Sequence, residues 1–106
     1  MTDEGDFIAL LTYLTTEQGG RKTPARSGYR PQVKFDFDEM QTSGQQIFIG
    51  KEWVSPGDEV EASITIISIE HFAHRLSAGM NFEIREGAKI VGTGIILRII
   101  NEQLKK

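Results

Sequence analysis

The chain has 106 residues, of which 39% are apolar and 25% charged, and its formal net charge is -3. A globule of this length forms one modest core, so residues 1–106 are interpreted as a single domain whose ends, 1–6 and 101–106, are expected to fray. The negative charge gives no general attraction to polyanions, so any nucleic-acid site must be local.

The lack of cysteine excludes disulfides, thiolate zinc sites and cysteine nucleophiles, and it fits a reducing, cytoplasmic location. An acidic N-terminus and the break of the longest apolar run by Arg98 indicate neither export nor membrane insertion.

The N-terminal part of the chain contains an apolar segment followed by a basic one. Residues 7–14 are dense in aliphatic and aromatic side chains and end at a turn-rich break, which predicts a mostly buried strand. Residues 19–32 hold four cations, three glycines and two prolines but no anion. Glycine and proline interrupt regular structure, so the cations are predicted to lie on a shaped loop, called here the basic loop. These cations are Arg21, Lys22, Arg26 and Arg30.

Two strands and a tight turn are predicted in the middle of the chain. Val33, Phe35 and Phe37 alternate with charged residues, which predicts a half-exposed strand with three apolar side chains on one face. After a turn at Ser43-Gly44, residues 45–49 are typical of a short strand. The Ser-Pro-Gly-Asp sequence at 55–58 predicts a type II turn, because glycine at its third position accepts a positive φ.

The C-terminal half is dominated by period-two patterns. Residues 58–66 show the cleanest alternation in the sequence and predict a strand. Residues 71–79 are interpreted as a loop or one helical turn. Residues 80–84 then alternate into a hairpin turn at 85–88, and 89–100 form the return strand.

The return strand carries Gly92 and Gly94 two positions apart, on the same face. Missing side chains there let a small barrel bend or another backbone come close. Six strands at hairpin-like spacing, with no long helical period, predict an all-β fold. The expected architecture is a small, closed or nearly closed, six-stranded antiparallel barrel.

Three short motifs in a fixed order identify a family. They are GGR-x-TP with GYRPQ in the basic loop, Ser-Pro-Gly-Asp at 55–58 and Phe-Glu-Ile-Arg-Glu-Gly at 82–87. In this order the motifs resemble the C-terminal β-barrel, the third domain, of bacterial elongation factor Tu, and the likeness runs from about Leu14 to Ile100. The GTPase signature of that factor, a glycine-rich loop ending in Gly-Lys-Ser/Thr, does not occur here. We therefore expect no GTP and no other cofactor on this chain.

The resemblance also implies an RNA-binding surface. In that family the third domain helps hold the T stem of aminoacyl-tRNA through its sugar-phosphate backbone, and it packs against the GTPase domain and the nucleotide-exchange partner. The family's tRNA-facing positions fall on two residues of the basic loop, on Gln32 and on the Glu86-Gly87 turn. Cations there would neutralise phosphates, and the Gly87 backbone would approach a ribose closely. The candidate RNA-binding residues are Arg21, Lys22, Arg30, Gln32, Arg85, Glu86 and Gly87.

Several positions depart from the family pattern. Lys22 replaces the usual His, which keeps a donor and adds a charge. Residues 36–44 are longer by two than the family's Arg-Thr-Thr-Asp-Val-Thr-Gly and carry carboxylates that repel phosphate. Ala88 replaces the second glycine of the turn, and residues 71–79 need an insertion to align. With two or three cations available, log affinity would fall against log salt with a slope of about -2 to -3, which predicts weak binding.

Structural alternatives exist for each candidate residue. The arginines of the basic loop could simply stack on Tyr29 or on the barrel rim. Trp53 either covers one barrel end or offers a stacking platform for a base. The acidic residues at 36–39 form either a solvated strand face or an acidic docking patch. His71 and His74 have H-x-x-H spacing but no third ligand, so no metal site is expected.

Two functional hypotheses follow. We expect a non-catalytic, translation-related binding module that weakly contacts the backbone of tRNA-like RNA. The alternative is a protein-docking module, homo- or hetero-oligomeric, that uses surfaces which the full-length factor buries against its other domains. A third interpretation, a fragment of a split or decayed factor, is opposed by the distinct acidic N-terminal extension. No nucleophile, base and orienting group occur at a recognisable spacing, so enzymatic activity is not expected.

Overall fold

The computed structural model describes residues 5–106 and confirms the all-β fold. Six antiparallel strands close into a barrel in the order β1-β6-β4-β3-β7-β8, and β2 and β5 form a separate two-stranded ribbon. No helix within residues 5–106 is long and apolar enough to cross a membrane. The strands are β1 (Phe7–Tyr13), β2 (Ala25–Arg26), β3 (Gln32–Phe35), β4 (Gln41–Phe48), β5 (Trp53–Val54), β6 (Glu59–Ile66), β7 (Asn81–Glu86) and β8 (Lys89–Ile99).

Alternating apolar side chains fill the barrel interior. The prediction for residues 58–66 is confirmed, because every second residue of β6 from Val60 onward is buried. Phe7, Phe35 and Phe82, from three different strands, meet in the centre with ring centroids 5.8–6.0 Å apart. Their tilted and edge-on geometries are those that aromatic rings prefer, and each such pair adds about 0.5–1.5 kcal/mol beyond its buried area.

The strand after the basic loop is shorter than predicted. β3 ends at Phe35, where the backbone N–H of Asp38 returns to the Phe35 carbonyl at 3.2 Å. The Asp38 carboxylate accepts the Met40 N–H at 2.9 Å, a turn in which an Asp side chain replaces backbone pairing. Phe37 therefore lies in a turn and is 41% exposed, so its predicted place on the buried strand face is wrong.

The following strand is longer than predicted, because Ser43 and Gly44 belong to it. β4 runs from Gln41 to Phe48, whereas a turn was expected at Ser43-Gly44. A Cβ placed on Gly44 would lie 2.6 Å from Cγ2 of Val33 on the neighbouring strand. The glycine is thus required by close packing rather than by a turn.

The carboxylate-rich segment after β3 packs against the segment at 71–79. The Asp38 carboxylate lies 2.7 Å from His71 Nε2 and 3.2 Å from Arg75 Nη1, and the Arg75 guanidinium sits 4.8 Å from the centre of the Phe37 ring. Hydrogen bonds from the Met40 backbone and from His71 hold the pKa of Asp38 below its ordinary value. The acidic residues therefore lie in a turn and not on a strand face, because β3 ends at Phe35, while Asp36 and Glu39 are exposed to solvent as expected. Residues 5–106 contain no group of His, Cys, Asp and Glu side chains able to hold a metal ion.

The C-terminal residues pack against the barrel, so the expectation that 101–106 fray is wrong. A short 3-10 helix at Glu102–Leu104 is capped by the Asn101 side chain, and Leu104 is fully buried. Lys105 pairs in parallel with Leu76. At the other end of the chain, the buried Asp6 accepts the Asn101 side-chain amide at 3.0 Å. The rest of the expected N-terminal fraying concerns residues 1–4, which lie outside the described residues.

Close packing at the two glycines of β8 generates a stability prediction. A Cβ on Gly94 would come within 2.2 Å of the buried Phe82 ring, and a Cβ on Gly92 would lie 2.9 Å from the Thr12 carbonyl oxygen. Because the Phe82 ring is packed in the barrel centre, it cannot move away from a Cβ at residue 94 without losing packing contacts. We expect Gly94→Ala to lower the free energy of unfolding by about 1–3 kcal/mol in urea denaturation. Thr93→Ala, an exposed neighbour on the same strand, should change it far less.

Candidate nucleic-acid interface

The residues of the predicted site lie at one end of the barrel. The basic loop leaves β1 there and returns to β3, and the 87–88 turn joins β7 to β8 at the same rim. Across the sheet, Gln32 lies opposite Arg85, and Glu86 lies opposite Lys89. Two sequence segments that are far apart in the chain thus form one surface, called here the basic rim. It comprises the basic loop, Gln32 and residues 85–89.

A three-residue network joins the basic loop to the hairpin turn. Arg21 Nη1 and the Tyr29 hydroxyl both donate to the same carboxylate oxygen of Glu86. The Arg21 guanidinium also lies 4.6 Å from the centre of the Tyr29 ring and donates to the Thr23 carbonyl at 3.2 Å. Arg21 is therefore charge-compensated and only 19% of its side chain is exposed. It fixes the hairpin turn to the loop rather than presenting a free cation.

The ionisation states in this network follow from its geometry. Burial disfavours a charged Glu86, but the hydrogen bonds from Tyr29 and Arg21 outweigh burial and hold the pKa of Glu86 below its ordinary value. Burial and the neighbouring Glu86 carboxylate raise the pKa of Tyr29. Tyr29 therefore remains a neutral donor to an ionised Glu86 at neutral pH.

Buried polar side chains support the network from inside the barrel. The Tyr13 hydroxyl donates to the Gln46 side-chain carbonyl at 2.5 Å, and both residues are buried. The Gln46 backbone in turn accepts from Gly28 at 2.7 Å and donates to Tyr29 at 2.8 Å. These bonds attach the second half of the basic loop to β4. The loop is consequently a shaped and anchored surface, as the sequence predicted.

Two other arginines near the rim are also compensated. Arg85 donates to Glu83 at 2.5 Å on the same strand, and Arg26 lies 2.6 Å from Glu52 across the β2–β5 ribbon. Among the described residues of the basic rim, Lys22, Arg30 and Lys89 make no ion pair within 4 Å, and all three are exposed. The cations available to a ligand are therefore three, and they differ from the predicted set.

Sequence reasoning missed two residues of this surface. Lys89 was not selected, although its position directly after the predicted 85–88 turn places it across the hairpin from Glu86. Tyr29 is not among the candidate residues, and its hydroxyl donates a hydrogen bond to the same Glu86 carboxylate that pairs with Arg21. The pairing between Glu86 and Arg21 joins residues 65 positions apart, and no local pattern reports it.

Trp53 does not cover a barrel end. It is 55% exposed, whereas its strand neighbour Val54 is fully buried. Arg26 lies directly opposite on β2, with its guanidinium 5.6 Å from the centre of the indole ring. The interpretation of Trp53 as a packing residue is therefore wrong.

The fold and this surface define a small all-β barrel domain with a polar, partly cationic rim. Residues 1–100 match the sequence model of the family described as Elongation factor Tu C-terminal domain. Because the match covers nearly the whole chain, the chain belongs to that family. The resemblance inferred from the three motifs is confirmed. The family domain is non-catalytic, and its context is translation.

The lowered pKa of Glu86 generates a pH prediction. A carboxylate whose folded pKa lies below its unfolded value stabilises the fold above the unfolded pKa of about 4.3, and that stability is lost as pH falls through the folded pKa. We expect Glu86→Gln to cost roughly 1 kcal/mol or less at pH 7, because the pair is partly exposed.

The difference in unfolding free energy between wild type and Glu86→Gln should be smaller at pH 3 than at pH 7, because stability from a lowered carboxylate pKa is lost as the pH falls. Chemical denaturation at both pH values would measure it. Glu61→Gln, at an exposed carboxylate of β6 with no ion pair among the described residues, is the matched control. A pH-independent effect of Glu86→Gln would contradict the assignment of an ionised, stabilising Glu86.

Proposed function

We propose that this domain is a translation-related binding module that weakly contacts RNA backbone through the basic rim. The observation that carries the proposal is the set of three exposed cations without an ion pair within 4 Å, Lys22, Arg30 and Lys89, around one end of the barrel. Lys89 also lies across the hairpin from Glu86 and helps to hold the pKa of Glu86 down. Gln32, half-buried at the start of β3, offers an amide to sugar or phosphate oxygens. The rim contains no feature suited to reading base edges in a duplex groove.

The hairpin turn at 87–88 allows an RNA ribose to come close to the protein backbone. Gly87 has a φ of +65°, and a Cβ placed on it would meet nothing within 4 Å. The turn is thus open to solvent, and its position is set by the contacts of Glu86 with Arg21 and Tyr29. An anchored turn whose first residue, Gly87, has no side chain is suited to lie against a ribose edge. Arg21 and Glu86 act in this proposal by holding the turn, and they leave the phosphates to the free cations.

The small number of rim cations without a carboxylate partner predicts a low affinity for RNA. Arg21, Arg26 and Arg85 each have a carboxylate partner, so they add little attraction for phosphate. Each phosphate neutralised by a free cation contributes about -0.9 to the slope of log affinity against log salt. Three cations therefore give a slope of roughly -2 to -3, and binding should be measurable only at low salt.

A salt titration tests the proposal. The ligand is an RNA hairpin that mimics the acceptor and T stems of tRNA, and binding is followed by fluorescence anisotropy of the labelled RNA. Replacing Lys22 and Lys89 together by Ala should weaken binding at every salt concentration and make the slope shallower by about 2. Lys105→Ala/Lys106→Ala removes two exposed lysines from the opposite end of the barrel and is the matched control. No binding by wild type at low salt, or equal effects of the two double substitutions, would refute the proposal.

A specific observation supports protein docking as a second candidate function. Ile95 and Leu97 of β8 point outward and are 42% and 41% exposed, and Leu10 of β1 lies directly opposite Ile95. Outward apolar side chains on adjacent strands form the kind of surface that proteins bury on association. This face lies on the wall of the barrel and not on the basic rim, so the two candidate functions do not compete for the same residues.

Substitution on the barrel wall tests the docking function. Ile95→Lys/Leu97→Lys should leave the unfolding free energy nearly unchanged, because both side chains are already exposed. If the wall is an interface, sedimentation of wild type in a cell extract should show a larger species that the double substitution removes. Thr93→Lys, at an exposed polar position of the same strand, is the control for added charge. A wild-type protein that sediments as a monomer in extract would contradict docking.

A further inference from the structure

The exposed indole of Trp53 is carried on a backbone that is paired and packed on the barrel. The β2–β5 ribbon pairs Ala25 with Val54 and Arg26 with Trp53, and both Ala25 and Val54 are buried. The backbone at Trp53 is thus fixed by two buried neighbours while the ring faces solvent. An aromatic side chain has only two rotatable side-chain torsions, so it loses little conformational entropy when another flat group stacks on it.

The charge around the indole favours a neutral partner. The Arg26 guanidinium lies over the ring, and both its Nε and Nη2 contact the Glu52 carboxylate, at 2.8 and 2.6 Å. These contacts hold the guanidinium in place and cancel its charge. A phosphate therefore gains little here, whereas an uncharged aromatic base gains stacking area and does not disturb the Arg26–Glu52 pair.

The indole is continuous with the basic rim. Arg26 and Arg30 belong to the same loop and are four residues apart, so their Cα atoms lie at most about 14 Å from each other. The backbone of Ser27, between them, donates to the Glu52 carbonyl at 2.7 Å, which ties the ribbon to the loop. A single RNA strand whose phosphates lie at Arg30 can therefore place a neighbouring base at Trp53.

We propose that Trp53, backed by Arg26, is a stacking site for an unpaired nucleobase of an RNA whose backbone lies on the basic rim. This inference rests on the proposed RNA function and extends it to the class of ligand: a duplex that continues into a single strand. The site does not discriminate among the four bases, because every base has an aromatic face. A protein partner at Trp53 is the competing outcome, and it is disfavoured because the free cations nearest in sequence belong to the basic rim.

The test uses two probes and the single tryptophan of the chain. One probe is a blunt RNA duplex, and the other is the same duplex with a 3′ oligoadenosine overhang. Only the overhang should quench the tryptophan fluorescence, and it should bind about five- to 150-fold more tightly than the blunt duplex. This ratio should persist as salt is raised, because stacking releases no counterions.

Substitutions test whether the tighter binding of the overhang probe depends on Trp53. Trp53→Ala should reduce the affinity for the overhang probe to that of the blunt duplex, measured by anisotropy of labelled RNA. Trp53→Phe should keep part of the gain, and Ile49→Ala, at another exposed apolar residue next to the ribbon, should keep all of it. Urea denaturation of each variant is the control that the exposed substitutions leave folding intact.

The outcomes separate this inference from the proposed function. Equal binding of both probes, or an unchanged overhang gain in Trp53→Ala, would overturn the stacking site and leave backbone contact standing. Quenching by free oligoadenylate without binding of the blunt duplex would support the stacking site and refute contact by the rim. Loss of an extract protein in Trp53→Ala, without any quenching by RNA, would overturn the stacking site in favour of protein docking.

Discussion

The pairing of β1 with β8 is the constraint on which the rest of the structure depends. β1 lies between β6 and β8, so the N-terminal strand joins the two halves of the sheet and closes the cylinder. Closure satisfies the backbone groups that an open sheet would expose, and it gives Phe7 its place against Phe35 and Phe82. The same closure brings the start of β8 beside the end of β1, where the basic rim forms. The geometry of the candidate site is therefore a property of the whole cylinder.

Charge compensation decides what the rim can bind. The basic loop carries four cations, but Arg21 and Arg26 are each paired with a carboxylate. The two pairs have different consequences. The pair between Arg21 and Glu86 joins the loop to the hairpin and leaves a bare glycine turn in a fixed position. The pair between Arg26 and Glu52 places a charge-compensated guanidinium beside Trp53, which suits a flat uncharged group.

Much of the architecture could be predicted from the sequence, because it is encoded in local patterns. The period of two in β6 follows from one buried face, and the turn at 55–58 follows from the positive φ of Gly57. The errors arose where a distant contact overrides the local pattern. Phe37 continues the alternation of β3, but the chain turns at Asp38. Leu104 is buried because a distant segment of the chain, near Leu76, receives it.

The candidate site was predictable in its location but not in its electrostatics. The motifs place the loop and the hairpin at one rim, since antiparallel connections at the same end of a barrel are neighbours. Which cations remain free depends on partners far along the chain, as in the pair between Arg21 and Glu86. The exposure of Trp53 could not be predicted either, because a lone aromatic residue before a turn gives the same sequence pattern whether it is packed or faces water.

Closure of the cylinder through β1 has a consequence for how the polypeptide acquires its shape. Ile8 pairs with Arg98, so the first strand of the barrel needs a partner that the ribosome synthesises only after all the other strands of the barrel. Contacts between such distant residues carry a large loop-closure cost and make folding slow for a chain of this size. Until β8 is synthesised, one edge of β1 is without its neighbour and is open to pairing with other chains. Nascent chains of this domain are thus most vulnerable to aggregation before β8 has been synthesised.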